Sequence, residues 1–199
     1  NPQHPTILLI MGLAAQMLFW PDFFCKLLID QGFHVIRFDN RDIGLSSKIR
    51  HQGPRLNSYK LMGRFALGLP NDGAPYNLFD MADDVALLID RLGIEKPHIL
   101  GASMGGMISQ ILAAKYPEKI DKVGLLFTSN NQPLLPPPFP KQLFSLIGKP
   151  ESRDEEGIVN HSLKVFHMIG SPGYINQVEA IQTARKLYRR SYHPAGVLQ

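Results

Sequence analysis

The stretch Ile99-Leu100-Gly101-Ala102-Ser103-Met104-Gly105-Gly106 restricts what this chain can fold into more than any other. Apolar residues run directly into a serine bracketed by glycines two places to either side. A helical pattern over 107–116 follows at once and stops before Pro117. The Gly-x-Ser-x-Gly spacing has a steric reason: a serine on a strained strand-to-helix turn needs neighbours nearly free of side chain two residues before and after it. Such a turn holds the hydroxyl clear of the backbone at the carboxyl end of a strand, over a helix N-terminus that favours negative charge. Ser103 is therefore the candidate nucleophile, with Gly101 and Gly105 shaping its turn. The spacing arises by chance in roughly 7% of chains this long, so its context matters; a tightly packed turn without chemistry is the competing reading.

The context is alternation. Residues 6–11 form a continuous apolar run of strand formers, as expected of a strand covered on both faces. Pro21 opens a helical stretch through Phe24, Leu27 and Leu28 that ends near Gly32, and residues 34–39 read as the next strand. A parallel pair with a right-handed helical crossover is the economical connection. Residues 80–93 give an amphipathic helix, acidic at its start, apolar at Val85, Leu88, Ile89 and Leu92, and stopped by Gly93. The strand before Ser103 follows, and 122–128 reads as a further strand. The pattern predicts an open, mostly parallel α/β sheet over residues 1–130. Residues 48–75 carry no assignable element beyond a short helix. Pro133, Pro136, Pro137, Pro138 and Pro140 mark a stiff linker. Beyond it lie three helical apolar faces: Leu143, Phe144 and Ile147; Ile158, Val159, Leu163, Phe166 and Ile169; and Tyr174, Ile175, Val178, Ile181 and Tyr188. Residues 131–199 are thus expected to form linker and helical lid.

Composition narrows the function classes. With 44% hydrophobic and 19% charged residues among 199, an ordinary domain core is affordable. Cys25, the single cysteine, allows no intrachain disulfide and fits a buried thiol in a reducing compartment. The run 7–20 is broken by Gly12 and Gln16, too short to span a bilayer, and lacks the pattern of a secretory signal, so a cytoplasmic location is expected. The net charge of +4 and the cluster Arg185, Lys186, Arg189 and Arg190 read as a solvated helix face, giving little support to nucleic-acid binding, and no nucleic-acid partner is expected. No metal-ligand spacing is present, His161 and His167 read as surface or packing residues, and no cofactor is expected.

Three ordered motifs carry a family resemblance: residues 8–17 (Leu-Leu-Ile-Met-Gly-Leu-Ala-Ala-Gln-Met), residues 35–46 (Val-Ile-Arg-Phe-Asp-Asn-Arg-Asp-Ile-Gly-Leu-Ser), and the turn at Ser103. Together they resemble the α/β-hydrolase superfamily, in particular cap-bearing serine esterases of the aclacinomycin methylesterase type and cofactor-free haloperoxidase-like hydrolases. The resemblance implies hydrolysis of carboxylic esters through an acyl-enzyme, with the backbone N–H groups of Leu13 and Met104 as the oxyanion hole. Peroxide as acyl acceptor would use the same residues. Many relatives have histidine where this chain has Met11, and Arg-Gly where it has Arg41-Asp42; both of the latter are expected to be structural.

The resemblance also implies a histidine and an acid on later strands, and these are missing. Thr128-Ser129-Asn130 offers no carboxylate, and only His161, His167 and His193 are conceivable substitutes for the base. Low activity is expected of this chain unless another chain or further residues complete it. A non-catalytic truncated hydrolase fold or a swapped oligomer is the alternative. The strand at Val123 is expected at an open sheet edge, pairing with another copy or with the remainder of the fold. The apolar lid faces suggest a hydrophobic ester as substrate.

Overall fold

The computed structural model describes residues 4–49, 64, 74–130, 132, 135 and 148–193. These residues fall into two compact units, one within 1–133 together with His193, the other within 134–192.

The first unit is built on a four-stranded parallel sheet of β1 (Thr6–Ile10), β2 (His34–Arg37), β3 (His98–Ala102) and β4 (Val123–Leu126), in the order β2-β1-β3-β4. Leu8 pairs with Ile36 of β2 and Ile99 of β3, so β1 is an interior strand, and its residues from Ile7 to Ile10 are buried. A strand covered on both faces must be apolar at successive positions. The strands end short of the expected 11, 39 and 128, because Met11, Phe38 and Phe127 already belong to the loops.

Each sheet face has its own core. On one, α1 (Asp22–Asp30) sets Cys25 against Ile7, Leu9, Trp20 and Ala102. On the other, α2 (Leu78–Leu92) and α3 (Met104–Lys115) pack Met81, Val85, Ile89, Ile108 and Leu112 on Leu8, Ile10 and Ile99. Helix α2 begins before the expected Asp80 because Asn77 caps it: the Asn77 side chain accepts from the N–H groups of Phe79 and Asp80, and Asp80 reciprocates at the Asn77 N–H. Gly93, at φ 61°, ends it.

The second unit contains α4 (Glu155–Ile169) and α5 (Gln177–Arg190). Ile158 and Val159 of α4 and Ala184 and Leu187 of α5 are buried. The third apolar face expected from sequence is corrected here: Tyr174 is 92% and Val178 64% exposed. Arg185 and Arg189 pair with Glu156 and Glu155 in the first turn of α4. The proline linker apart from Leu135, the face at Leu143, Phe144 and Ile147, and nearly all of 50–73 lie outside the described residues.

Candidate functional site

The strand order places a topological switch between β1 and β3: the chain leaves β1 for β2 on one side and returns to β3 on the other. In open α/β sheets the crevice at the carboxyl ends of such strands is where ligands bind. Ile10, Gly101 and Leu125 stand abreast in the register, so the loops after β1, β3 and β4 emerge side by side. Ser103 lies in the middle one.

Ser103 has φ 54° and ψ −123°, a conformation a non-glycine residue holds at a cost of about 1–3 kcal/mol. It occupies the position before α3 where serine normally caps a helix, yet its side chain makes no capping hydrogen bond. Among the described residues of this unit the hydroxyl has no hydrogen-bond partner. The flanking glycines are sterically required. A Cβ at Gly101 would strike Ser109 Oγ and the Gly105 carbonyl, and one at Gly105 would strike the Ile10 carbonyl and stand 2.8 Å from that of Met11. Helix α3 therefore crosses against the end of β1 with no space for a methyl. It begins at Met104, ahead of the expected 107, so the Met104 N–H is a first-turn donor without an intrahelical acceptor.

The loop after β1 reaches the same place. A Cβ on Gly12 would stand 2.9 Å from Ser103 Cβ and 3.3 Å from its Oγ, which brings the Gly12–Leu13 peptide beside the hydroxyl. The loop is held by polar groups that follow β2. Asn40 Nδ2 donates to the Met11 carbonyl at 2.8 Å, and the Asp39 carboxylate accepts from the N–H groups of Met17 (2.8 Å) and Leu45 (2.9 Å). The polar run is plain in the sequence, but its reach to the loop after β1 depends on β1 and β2 being neighbours. Ser103, Gly101, Gly105, Leu13 and Met104 thus gather at one end of the sheet.

Arg41 and Asp42 have other partners. Arg41 grips Asp84 with two hydrogen bonds of 2.6 and 2.7 Å and lies 4.9 Å from the Tyr76 ring centre. Asp42 is fully buried at φ 65° and accepts from the Ile49 N–H at 2.6 Å. Burial, and then the neighbouring Asp42 carboxylate, push the Tyr76 phenol pKa up.

His161 lies on α4, where burial lowers its pKa; His167 on the same helix is exposed, and His193 is half-buried. Among the described residues no cluster of three or more His, Cys, Asp or Glu could hold a metal ion. No helix of the described residues is long and apolar enough to cross a membrane.

The chain is similar to rhodomycin D methylesterase DnrP of Streptomyces peucetius, with 32% identity over 120 residues, 60% of this chain and 34% of that protein. It is similar to the putative carbamate hydrolase RutD of Yersinia enterocolitica, with 29% identity over 135 residues, 68% of this chain and 39% of the relative. Against the first of these relatives it therefore spans 34% of the length. Among solved structures, the enol-lactonase from Burkholderia xenovorans LB400 aligns with a TM-score of 0.63 at 20% identity, over 98% of this chain and 63% of its own. The 2-hydroxy-6-oxo-6-phenylhexa-2,4-dienoate hydrolase from Rhodococcus sp. strain RHA1 aligns with a TM-score of 0.61 at 21% identity, covering 94% and 59%. The family model for the alpha/beta hydrolase fold matches residues 5–161. With the four-stranded parallel sheet and its strand order, that match settles the kinship: the chain belongs to the α/β-hydrolase fold family.

Proposed function

We propose that this chain is the nucleophile-bearing part of a serine hydrolase of carboxylic esters. Ser103 Oγ attacks the acyl carbon, and the Leu13 and Met104 N–H groups receive the charge that grows on the carbonyl oxygen. An acyl-enzyme forms as the alcohol leaves, and water releases the acid. The single observation that carries this reading is a serine at φ 54° whose hydroxyl caps nothing, set at the switch point with Gly12 against it. Each oxyanion donor is expected to contribute about 3 kcal/mol of barrier lowering. The attacking hydroxyl must lose its proton as the bond forms, and the histidine and acid for that step are proposed to come from outside the described residues. The esterase and hydrolase names of the relatives agree with this chemistry. The apolar pattern of the helical segment supports a lid role and a hydrophobic acyl or alcohol group, and the lone, buried Cys25 supports a reducing, cytoplasmic setting.

The absence, among the described residues of its unit, of a hydrogen-bond partner at the Ser103 hydroxyl also favours a second reading, a hydrolase fold kept as a non-catalytic scaffold. Fluorophosphonate labelling of the intact protein separates the two. A single adduct on Ser103, lost in Ser103→Ala, is expected; an unlabelled serine would leave the scaffold reading standing. The 199-residue chain by itself is expected to turn over p-nitrophenyl butyrate far below ordinary esterase rates.

A further inference from the structure

Both backbone groups of Ser103 are fastened to the segment where β4 ends. Its N–H donates to the Leu126 carbonyl at 3.0 Å. Its carbonyl accepts from the Thr128 hydroxyl at 2.6 Å, as well as from the N–H groups of Gly106 (2.9 Å) and Met107 (3.3 Å). The chain turns back toward Ser103 at Phe127, a non-glycine residue with φ 35° whose side chain is 82% exposed. Side-chain packing does not account for that backbone; it brings Thr128 onto the turn. There the Thr128 side chain fills the space that a Cβ at Gly106 would enter, with Cβ, Cγ2 and Oγ1 all 2.6–2.7 Å from that point. Gln110 of α3 closes a second tie, donating to the carbonyls of Ser129 (2.8 Å) and Gly106 (3.1 Å).

The Ser103 carbonyl and the Met104 N–H belong to one planar trans peptide, so they point in opposite directions. A donor that fixes the carbonyl fixes the N–H behind it, and a carbonyl that accepts a hydrogen bond polarises its peptide and strengthens that N–H as a donor. We propose that Thr128 is a positioning residue: its hydroxyl, by holding the Ser103 carbonyl, aims the Met104 N–H and steadies the Ser103 turn. The proposal rests on the reading of Ser103 and Met104 given above, and assigns work to a residue that carries no chemistry of its own.

The test compares Thr128→Val, which keeps the shape and removes the hydroxyl, with Thr128→Ser, which keeps the hydroxyl, in the intact protein. Thr128→Val is expected to lower kcat for p-nitrophenyl butyrate about tenfold, a fraction of the roughly 100-fold or greater loss typical of deleting an oxyanion donor. KM should change less than twofold, and Thr128→Ser should restore kcat to within about threefold. Should Thr128→Val fail to fold, Thr128→Ala serves as the hydroxyl-free variant. A wild-type kcat in the hydroxyl-free variant, or an equal loss in Thr128→Ser, would overturn the proposal, the latter by tracing the effect to packing on Gly106. A second readout is independent of chemistry: the Met104 amide resonance should move in Thr128→Val and return in Thr128→Ser. If the unsubstituted protein neither labels at Ser103 nor turns over ester, the reading of Ser103 fails, and the Met104 resonance then decides the role of Thr128 by itself.

Discussion

At position 42 the chain places an aspartate in a left-handed backbone, φ 65°, a region that favours glycine. The cost of a side chain in that region is about 1–2 kcal/mol, and the carboxylate offsets it by accepting the Ile49 N–H at 2.6 Å from a fully buried position. Asp42→Ala keeps the strained backbone and loses a charge-assisted hydrogen bond, so it should lower unfolding stability by about 2 kcal/mol. Asp42→Gly loses the same bond but relaxes the backbone and should cost about 1 kcal/mol less; urea titration of the two variants checks the order. Tyr76 shows the same carboxylate from the other side. Its pKa is raised, chiefly by burial and then by Asp42, so the folded state prefers the neutral phenol. That preference is fully present below the ordinary tyrosine pKa of about 10 and is lost as pH climbs from there toward the folded value. Stability should therefore fall above about pH 10, and Tyr76→Phe should flatten the decline in pH-dependent thermal melts.

Among the elements, α3 is the one whose placement depends most on missing atoms. Its approach to β1 leaves no room for a Cβ on Gly105 beside the Ile10 carbonyl, and neither partner is a flexible side chain that could move away. Gly105→Ala must separate helix from strand and should cost about 3 kcal/mol or more, seen as a lowered urea midpoint or loss of folded protein, with Ser103 labelling falling alongside. This dependence was readable from the sequence, because a requirement for glycine leaves a mark in fixed spacing. The parallel sheet was readable for a similar reason, since continuous apolar runs such as that of β1 have few other uses. Thr128 left no such mark: it meets Ser103 across a sequence separation of 25, through a backbone reversal at Phe127 that no local residue preference announces. The buried positions of α5 are Leu187 and the small Ala184, which a pattern of large apolar residues does not mark, whereas Val178 at its start and Tyr174 just before it are exposed. Asn40 belongs to a polar loop legible in the sequence, but its bond to the Met11 carbonyl depends on β1 and β2 being neighbours, which is a property of the sheet order.

For the molecule as a whole, the described sheet ends at β4 with no described strand beyond it. Leu125 is 45% and Phe127 82% exposed at that edge, and the outward backbone groups of β4 form a template for another strand. The matched solved structures are longer, the chain covering 59% and 63% of the two compared. The open edge is thus proposed to be occupied in the intact protein by further strands of the same fold. In a polypeptide of these 199 residues the edge is proposed to stand open, so that two copies pair edge to edge. Such a polypeptide should sediment as an associated species at high concentration. Leu125→Lys places a charge on the edge strand, a device that natural sheets use against edge pairing. It should shift the polypeptide toward monomer without lowering its thermal midpoint by more than a few degrees, because Leu125 is already half in water. A monodisperse monomer in the unsubstituted polypeptide would refute the edge as an association surface. Unchanged association in Leu125→Lys would place the contact elsewhere.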